Sequence, residues 1–459
     1  MLEGVKFFSF FLGQLCITAQ FLMCTQSINP WMIERFFQEL IFTIVVSSNI
    51  VMEAFTTLSA FLGAYKLFSL YEAQGYISFK DCLKFWGRKY LRLAPMYYFV
   101  FFCGWAIFPH LGAGPIWYSA NLMFDDCQDY WWAQLLMIGN IYPYFQAPNY
   151  GCFFWGWTVT TDLQLALLCP LFVIIYKKRE WVGHVFIALT MIVNTYFIGR
   201  TCLKYGLRAG PFAEENWYLF AYMFQKPFMK IHIYAMGVTA ALVYMKILDF
   251  RRLPEEEQRK AKHPVINYIH HSSVCQAVMF LFGFALVATN LLIGHSAIAK
   301  PYSWNMAENA VYFTLTRPTY ALGIHLILVV FWCGGFTFGK AFMGRAIFRV
   351  LGKLAFESAL ITPLMVQLIY STQPNGLFVQ FNKVLELGLG NVVCVMAAGI
   401  VLYLCFEYPF KRLIEFSGLL KYFSHDDALH LLYVRQKVGS SPIVNPNKRD
   451  KQPRAESKI

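Results

Sequence analysis

WGWTVTTDLQLALLCPLFVIIYKKRE, residues 155–180, reads as one long apolar helix that stops at the basic cluster Lys177, Lys178 and Arg179. About 20 apolar residues are needed to cross a hydrocarbon core of ~30 Å. A single carboxylate, Asp162, sits near the start of the run. Such a charge at the bilayer centre costs ~2.5–3.5 kcal/mol, so it needs a partner or a task. The rest of the chain repeats the pattern. Of its 459 residues 58% are hydrophobic and only 14% charged, against ~25% charged in soluble proteins. Aromatic residues reach 18%, with 45 Phe, a composition suited to lipid-facing surfaces and interfacial belts. The expected class is therefore an all-α polytopic membrane protein.

By the 20-residue criterion the chain carries ten candidate spans, at about 5–24, 47–68, 94–112, 159–176, 181–199, 229–247, 273–293, 318–335, 354–372 and 390–408. The basic residues fall in alternate loops. One group is Lys66, Lys80, Lys84, Arg88, Lys89 and Arg92; the next is Lys177–Arg179; then come Lys246, Arg251, Arg252, Arg259, Lys260 and Lys262, and finally Lys340, Arg345, Arg349 and Lys353. The loop 113–158 between them has no Lys or Arg and carries Asp125, Asp126 and Asp129. This alternation puts both termini on the positive, inside face. It also accounts for the net charge of +13 without nucleic acid, since no basic stripe lies on a soluble domain. Two regions follow: a transmembrane domain over 1–416 and a polar, basic tail over 417–459, which has too little apolar surface to order by itself and is expected to need a partner. The first apolar run begins close to Met1 and is long enough to span, so a cleaved leader is not expected.

Ionisable residues inside apolar runs are candidates for a functional site or an internal ion pair: Lys6, Glu53, Asp162, Arg317, Glu357 and Glu407. Several lie near span ends, where snorkelling explains them equally well. The twelve Cys are scattered, mostly in apolar runs, and show no metal-binding spacing. Cys127 and Cys152 bracket the aromatic segment DYWWAQLLMIGNIYPYF (129–145) on one side of the membrane; they read either as a disulfide on an oxidising face or as two reduced thiols.

Seven collinear stretches carry a resemblance: LEGVKFFSFFLGQ (2–14), VMEAFTTLSAFLGAYKL (51–67), RKYLRLAPMYYF (88–99), CQDYWWAQLLMIGN (127–140), CFFWGWTVTTDLQLALLCP (152–170), LTRPTYALG (315–323) and FEYPFKRLIEF (406–416). Over residues 2–416 the chain resembles the acyltransferase-3 family, in particular its nose-resistant-to-fluoxetine branch, without the extracellular N-terminal domain common in that branch. The resemblance implies ten spans and transfer of an acyl group from cytoplasmic acyl-CoA. It also implies a histidine in the first span eleven residues after a basic residue, and a histidine–proline pair in the ninth. Lys6 matches the basic residue, but the histidine positions fall on Ile17 and on Thr362, before Pro363. Glu53 and Asp162 match the family's acids, Arg317–Pro318 its Arg–Pro pair, and Arg88, Lys89 and Arg92 the basic cluster that faces the acyl-CoA phosphates.

Acyl transfer to a hydroxyl requires a base of near-neutral pKa, and losing one removes ~10²–10⁴ in rate. Neither isoleucine nor threonine serves. Among the remaining histidines His325, in the eighth span, is the best substitute, although a lone His on an apolar helix more often packs. The expectation is thus a catalytically degenerate scaffold, with Lys6, Glu53, Asp162, Arg317 and His325 as a vestigial pocket, no metal and no cofactor. It would act as a structural or assembly subunit of a membrane complex, with a respiratory-chain complex of the mitochondrial inner membrane as the leading setting and the endoplasmic reticulum or plasma membrane as alternatives. An active acyl-CoA-dependent acyltransferase is the second reading. A lipid-binding or transport protein holding a phospholipid is the third. Asp162 is expected to pair with Arg317 or Lys6.

Overall fold

The computed structural model describes residues 1–25, 27–115, 117–143, 152–210, 216–254 and 264–417. Nearly all of the expected tail, from residue 418 on, lies outside the described residues. The described chain is all-helical, with a single isolated bridge between Ser27 and Leu377. Eleven helices organise it: α1 (Leu2–Thr25), α2 (Glu53–Gln74), α3 (Phe79–Ala106), α4 (Trp157–Ala166), α5 (Cys169–Lys178), α6 (Glu180–Tyr205), α7 (Ile231–Arg252), α8 (Ser273–Leu292), α9 (Met306–Trp332), α10 (Ala346–Ser371) and α11 (Phe381–Leu402). Nine helical segments among the described residues are long and apolar enough to cross a membrane, and the chain is a multi-pass integral membrane protein.

The span expected at 94–112 is the one that changes. It belongs to α3, which starts at Phe79, carries Lys80, Asp81, Lys84, Arg88, Lys89 and Arg92 in its first half, and stops at Ala106. Charge in that half keeps it from meeting the apolar criterion. Local signals set its start. Gly75 ends α2 in the left-handed conformation (φ 82°), which glycine adopts at no steric cost. Ser78 then caps α3 by accepting from the Asp81 amide at 3.2 Å, while the Asp81 carboxylate accepts from the Ser78 amide at 2.9 Å.

The quoted stretch is also not one uninterrupted helix. Pro170 has no N–H to give and its ring crowds the carbonyl four residues back, so the run divides into α4 and α5 around Leu167–Leu168. The carbonyl left over, that of Ala166, accepts from Trp86 Nε1 on α3 at 3.1 Å. Inside a bilayer a freed carbonyl needs such a donor.

Small residues set the closest crossings. α8 packs against α9 where Gly283 faces Gly323. A Cβ on Gly323 would lie 2.7 Å from the Gly283 carbonyl oxygen, and one on Gly283 would lie 2.9 Å from that of Gly323. Backbone cannot yield as a side-chain tip can, so this crossing requires glycine on both sides. Gly323→Val is expected to cost ~1–3 kcal/mol, read as a lower unfolding midpoint of the purified chain. Gly390→Ala in α11, where a new Cβ meets nothing within 4 Å, is expected to be neutral or mildly stabilising. Equal effects of the two substitutions would contradict this account. α7 approaches α2 in the same manner, with Gly237 against the Thr57 carbonyl, and this brings the heads of both helices to one place.

Candidate functional site

Glu53 is the first residue of α2, Lys230 immediately precedes α7, and Arg317 lies in the middle of α9. The three meet in the interior. Lys230 Nζ is 3.3 Å and Arg317 Nη1 3.6 Å from Glu53 Oε1, with all three side chains at most 3% exposed. Charge-assisted bonds ordinarily close to ~2.7–2.9 Å, so these contacts are loose. Neither carboxylate oxygen of Glu53, nor Arg317 Nη2, completes a hydrogen bond among the described residues. Arg317 Nη1 donates to the Met223 carbonyl at 3.0 Å, and its guanidinium lies 4.6 Å from the Phe224 ring centre. The Lys230 ammonium lies 4.0 Å from that of Trp157. Two cations thus share one carboxylate, and aromatic faces cover their other sides.

His232, two residues into α7 and fully buried, stands within electrostatic reach of this group. Its Nδ1 lies 2.5 Å from Asn194 Oδ1, which also accepts from the His232 backbone N–H at 3.2 Å. The Asn194 amide nitrogen donates to the Phe228 carbonyl, and that fixes the amide's orientation. Nδ1 therefore carries the proton and Nε2 is an acceptor, one with no partner among the described residues. A further cation, Lys226, donates to the Asn140 carbonyl at 2.8 Å, and burial pulls its ammonium down to about 8.

The other residues singled out in the sequence are distributed differently. Asp162 pairs neither with Arg317 nor with Lys6. Its partner is Lys89 of α3 at 2.9 Å, and the same ammonium donates to Ser59 of α2 at 2.9 Å. This ties α3, α4 and α2 together, because α4 presents Asp162 toward the middle of α3. Lys6 pairs with Glu3 one turn away at 2.8 Å. Arg88 is half-buried and Arg92 exposed, the latter in electrostatic contact with Glu407, whereas Lys89 is committed to the ion pair with Asp162. His325 Nε2 contacts Thr57 Oγ1 at 2.8 Å, deep between α9 and α2.

Ile17 packs among aliphatic and aromatic residues with Phe42, Val366 and Tyr370. Thr362 accepts from the Gln14 side-chain amide, one turn before Ile17, and donates to the Ser358 carbonyl at 2.7 Å. Asn391 of α11 closes the neighbourhood, with its amide at 2.9 Å from both Thr18 Oγ1 and Tyr370 Oη. The two positions therefore share one locus between α1, α10 and α11, and amide, hydroxyl and apolar side chains line it. In the cluster that packs α3 against Leu360 and Leu364 of α10, Cys127 and Cys152 form a disulfide, and Gln134 bridges from the Cys152 carbonyl to the Tyr97 hydroxyl.

Sequence reading considered His232, near the start of the sixth span, but preferred His325, and it missed Lys230 and Asn194. The signal was present in KPFMKIHIY (226–234), where two lysines and a histidine stand at the head of an apolar run, but it reads equally well as interfacial residues. No family model matches the chain, and no solved structure matches it. Over 435 residues, 90% of its length, it is 21% identical to Nose resistant to fluoxetine protein 6 from Caenorhabditis elegans. The chain spans about half the length (51%) of that relative, which is a distant similarity in agreement with the acyltransferase-3-like motifs.

Proposed function

We propose that this protein is an acyltransferase-like membrane scaffold that has lost the proton-transfer step and works as a structural or assembly subunit of a larger membrane complex, with the mitochondrial inner membrane as its leading setting. One observation carries the reading. Where the resemblance calls for two imidazoles, Ile17 packs in an apolar cluster and Thr362 is hydrogen-bonded on both sides. An alcohol placed there meets no group able to take its proton at neutral pH. The buried ion pairs fit this role too, because they tie helices together and do not depend on turnover.

The test is purification of the chain from its native membrane in mild detergent. Partner polypeptides at fixed stoichiometry are expected, together with acyl-CoA consumption no faster than in the protein-free control. Thioester turnover by the isolated chain would overturn the proposal. An active acyltransferase is the second reading, and the Asn194–His232 pair favours it, since an imidazole held through Nδ1 with Nε2 unpaired has the form of a general base. Turnover abolished by His232→Gln would establish that reading; turnover unchanged by it would direct attention to another base.

A further inference from the structure

Glu53 leaves the cations around it undersaturated. Lys230 and Arg317 carry two positive charges against its single negative one, at 3.3 and 3.6 Å, with side chains no more than 3% exposed. Arg317 lies eleven residues into α9, so at 1.5 Å per residue it stands roughly 16 Å from that helix end, about half the thickness of the hydrocarbon core. An uncompensated positive charge at that depth is costly, and an anion supplied from outside the chain would offset it.

The unpaired atoms specify the anion further. Arg317 Nη2 is a donor and requires an acceptor, whereas His232 Nε2 and Glu53 Oε2 are acceptors and require a donor. A carboxylate offers acceptors only and would sit against Glu53 without a proton to share. A neutral hydroxyl offers both but leaves the charge uncompensated. A phosphate monoester as its monoanion offers acceptor oxygens, one P–O–H donor and one negative charge. The walls are apolar and aromatic: Trp157 covers Lys230, and Phe224 covers Arg317.

We propose that Lys230, Arg317 and His232, with Glu53, form a binding site for a phosphate monoester, in which Arg317 Nη2 and Lys230 hold the anionic oxygens while the phosphate hydroxyl donates to His232 Nε2 or Glu53 Oε2. The inference is independent of the assembly role, and absence of co-purifying partners would not bear on it.

The full-length chain in detergent micelles is titrated with palmitoyl lysophosphatidate, monopalmitoylglycerol, palmitate and inorganic phosphate, and binding is followed by tryptophan fluorescence, with stoichiometry from native mass spectrometry. Lysophosphatidate is expected to bind one per chain, at least tenfold more tightly than monopalmitoylglycerol or palmitate. Competition by inorganic phosphate identifies free phosphate as a sufficient ligand; its failure to compete identifies the lipid head group as the source. Arg317→Gln balances the charge on Glu53 and is expected to weaken lysophosphatidate binding at least tenfold. Lys383→Gln, on an exposed side chain, is expected to change nothing. Should Arg317→Gln fail to fold, as judged by its unfolding midpoint, Lys230→Gln takes its place. The proposal is overturned by no lysophosphatidate binding, by equal affinity for monopalmitoylglycerol or palmitate, or by undiminished binding in a folded variant of this pair.

Discussion

Replacing Glu53 with Gln is expected to cost ~3–5 kcal/mol of stability, because it leaves two buried cations with no carboxylate. The measurement is the thermal unfolding midpoint of the purified chain in one detergent, compared with the unsubstituted protein. Glu53 is 1% exposed, and its neighbours Lys230 and Arg317 are buried with it, so water cannot take the place of the lost charge. The cost arises from what remains rather than from what is removed. Adding Arg317→Gln to Glu53→Gln should therefore recover part of the loss, since one charge disappears from the uncompensated pair. A double substitution less stable than the sum of the singles, or a single substitution with no effect on the midpoint, would refute the account. Asp162→Asn supplies the contrast. Its pair with Lys89 is more accessible, at 15% and 23% side-chain exposure, and Lys89 keeps a second contact with Ser59, so the loss there should be smaller.

Removing the Cys127–Cys152 disulfide with the double substitution Cys127→Ala/Cys152→Ala is the second large effect expected. Closing a loop across a sequence separation of 25 restricts the unfolded chain and contributes about 3 kcal/mol. The native protein should unfold at a lower temperature in the presence of reductant, whereas the double variant should be insensitive to it. Equal midpoints with and without reductant in the native chain would refute this. Both cysteines belong to the region that is poor in Lys and Arg, and a stable disulfide calls for an oxidising compartment on that side.

The helices were legible because apolar runs of this length have one main physical explanation, a crossing of the bilayer. Their edges were not. Residues 94–112 read as a span by hydropathy, yet α3 begins at Phe79 because the Ser78–Asp81 cap nucleates it there. That signal is four residues long and sits in charged sequence. Pro170 in the quoted stretch was visible, but the break it causes depends on Trp86, 80 residues earlier, being placed to donate its indole N–H to the Ala166 carbonyl. The candidate site was legible in part. Glu53 and Arg317 declared themselves as charges in apolar surroundings. Lys230 and His232 lie at a span boundary, where the same residues are common for interfacial reasons, and nothing local separates the two situations.

Composition and periodicity alone determined that this chain is a helical membrane protein, and the residue types at 17 and 362 alone determined that no imidazole stands there. These are properties of individual positions and of short runs, and they need no knowledge of neighbours. Partnership is different. Asp162 finds Lys89 and not Arg317, Glu53 finds Lys230 and Arg317 together, and Asn194 sets the tautomer of His232. Each contact joins residues tens to hundreds of positions apart, and each depends on how closely two helices approach; for α2 and α7, which bring Glu53 and Lys230 together, Gly237 against the Thr57 carbonyl permits that approach.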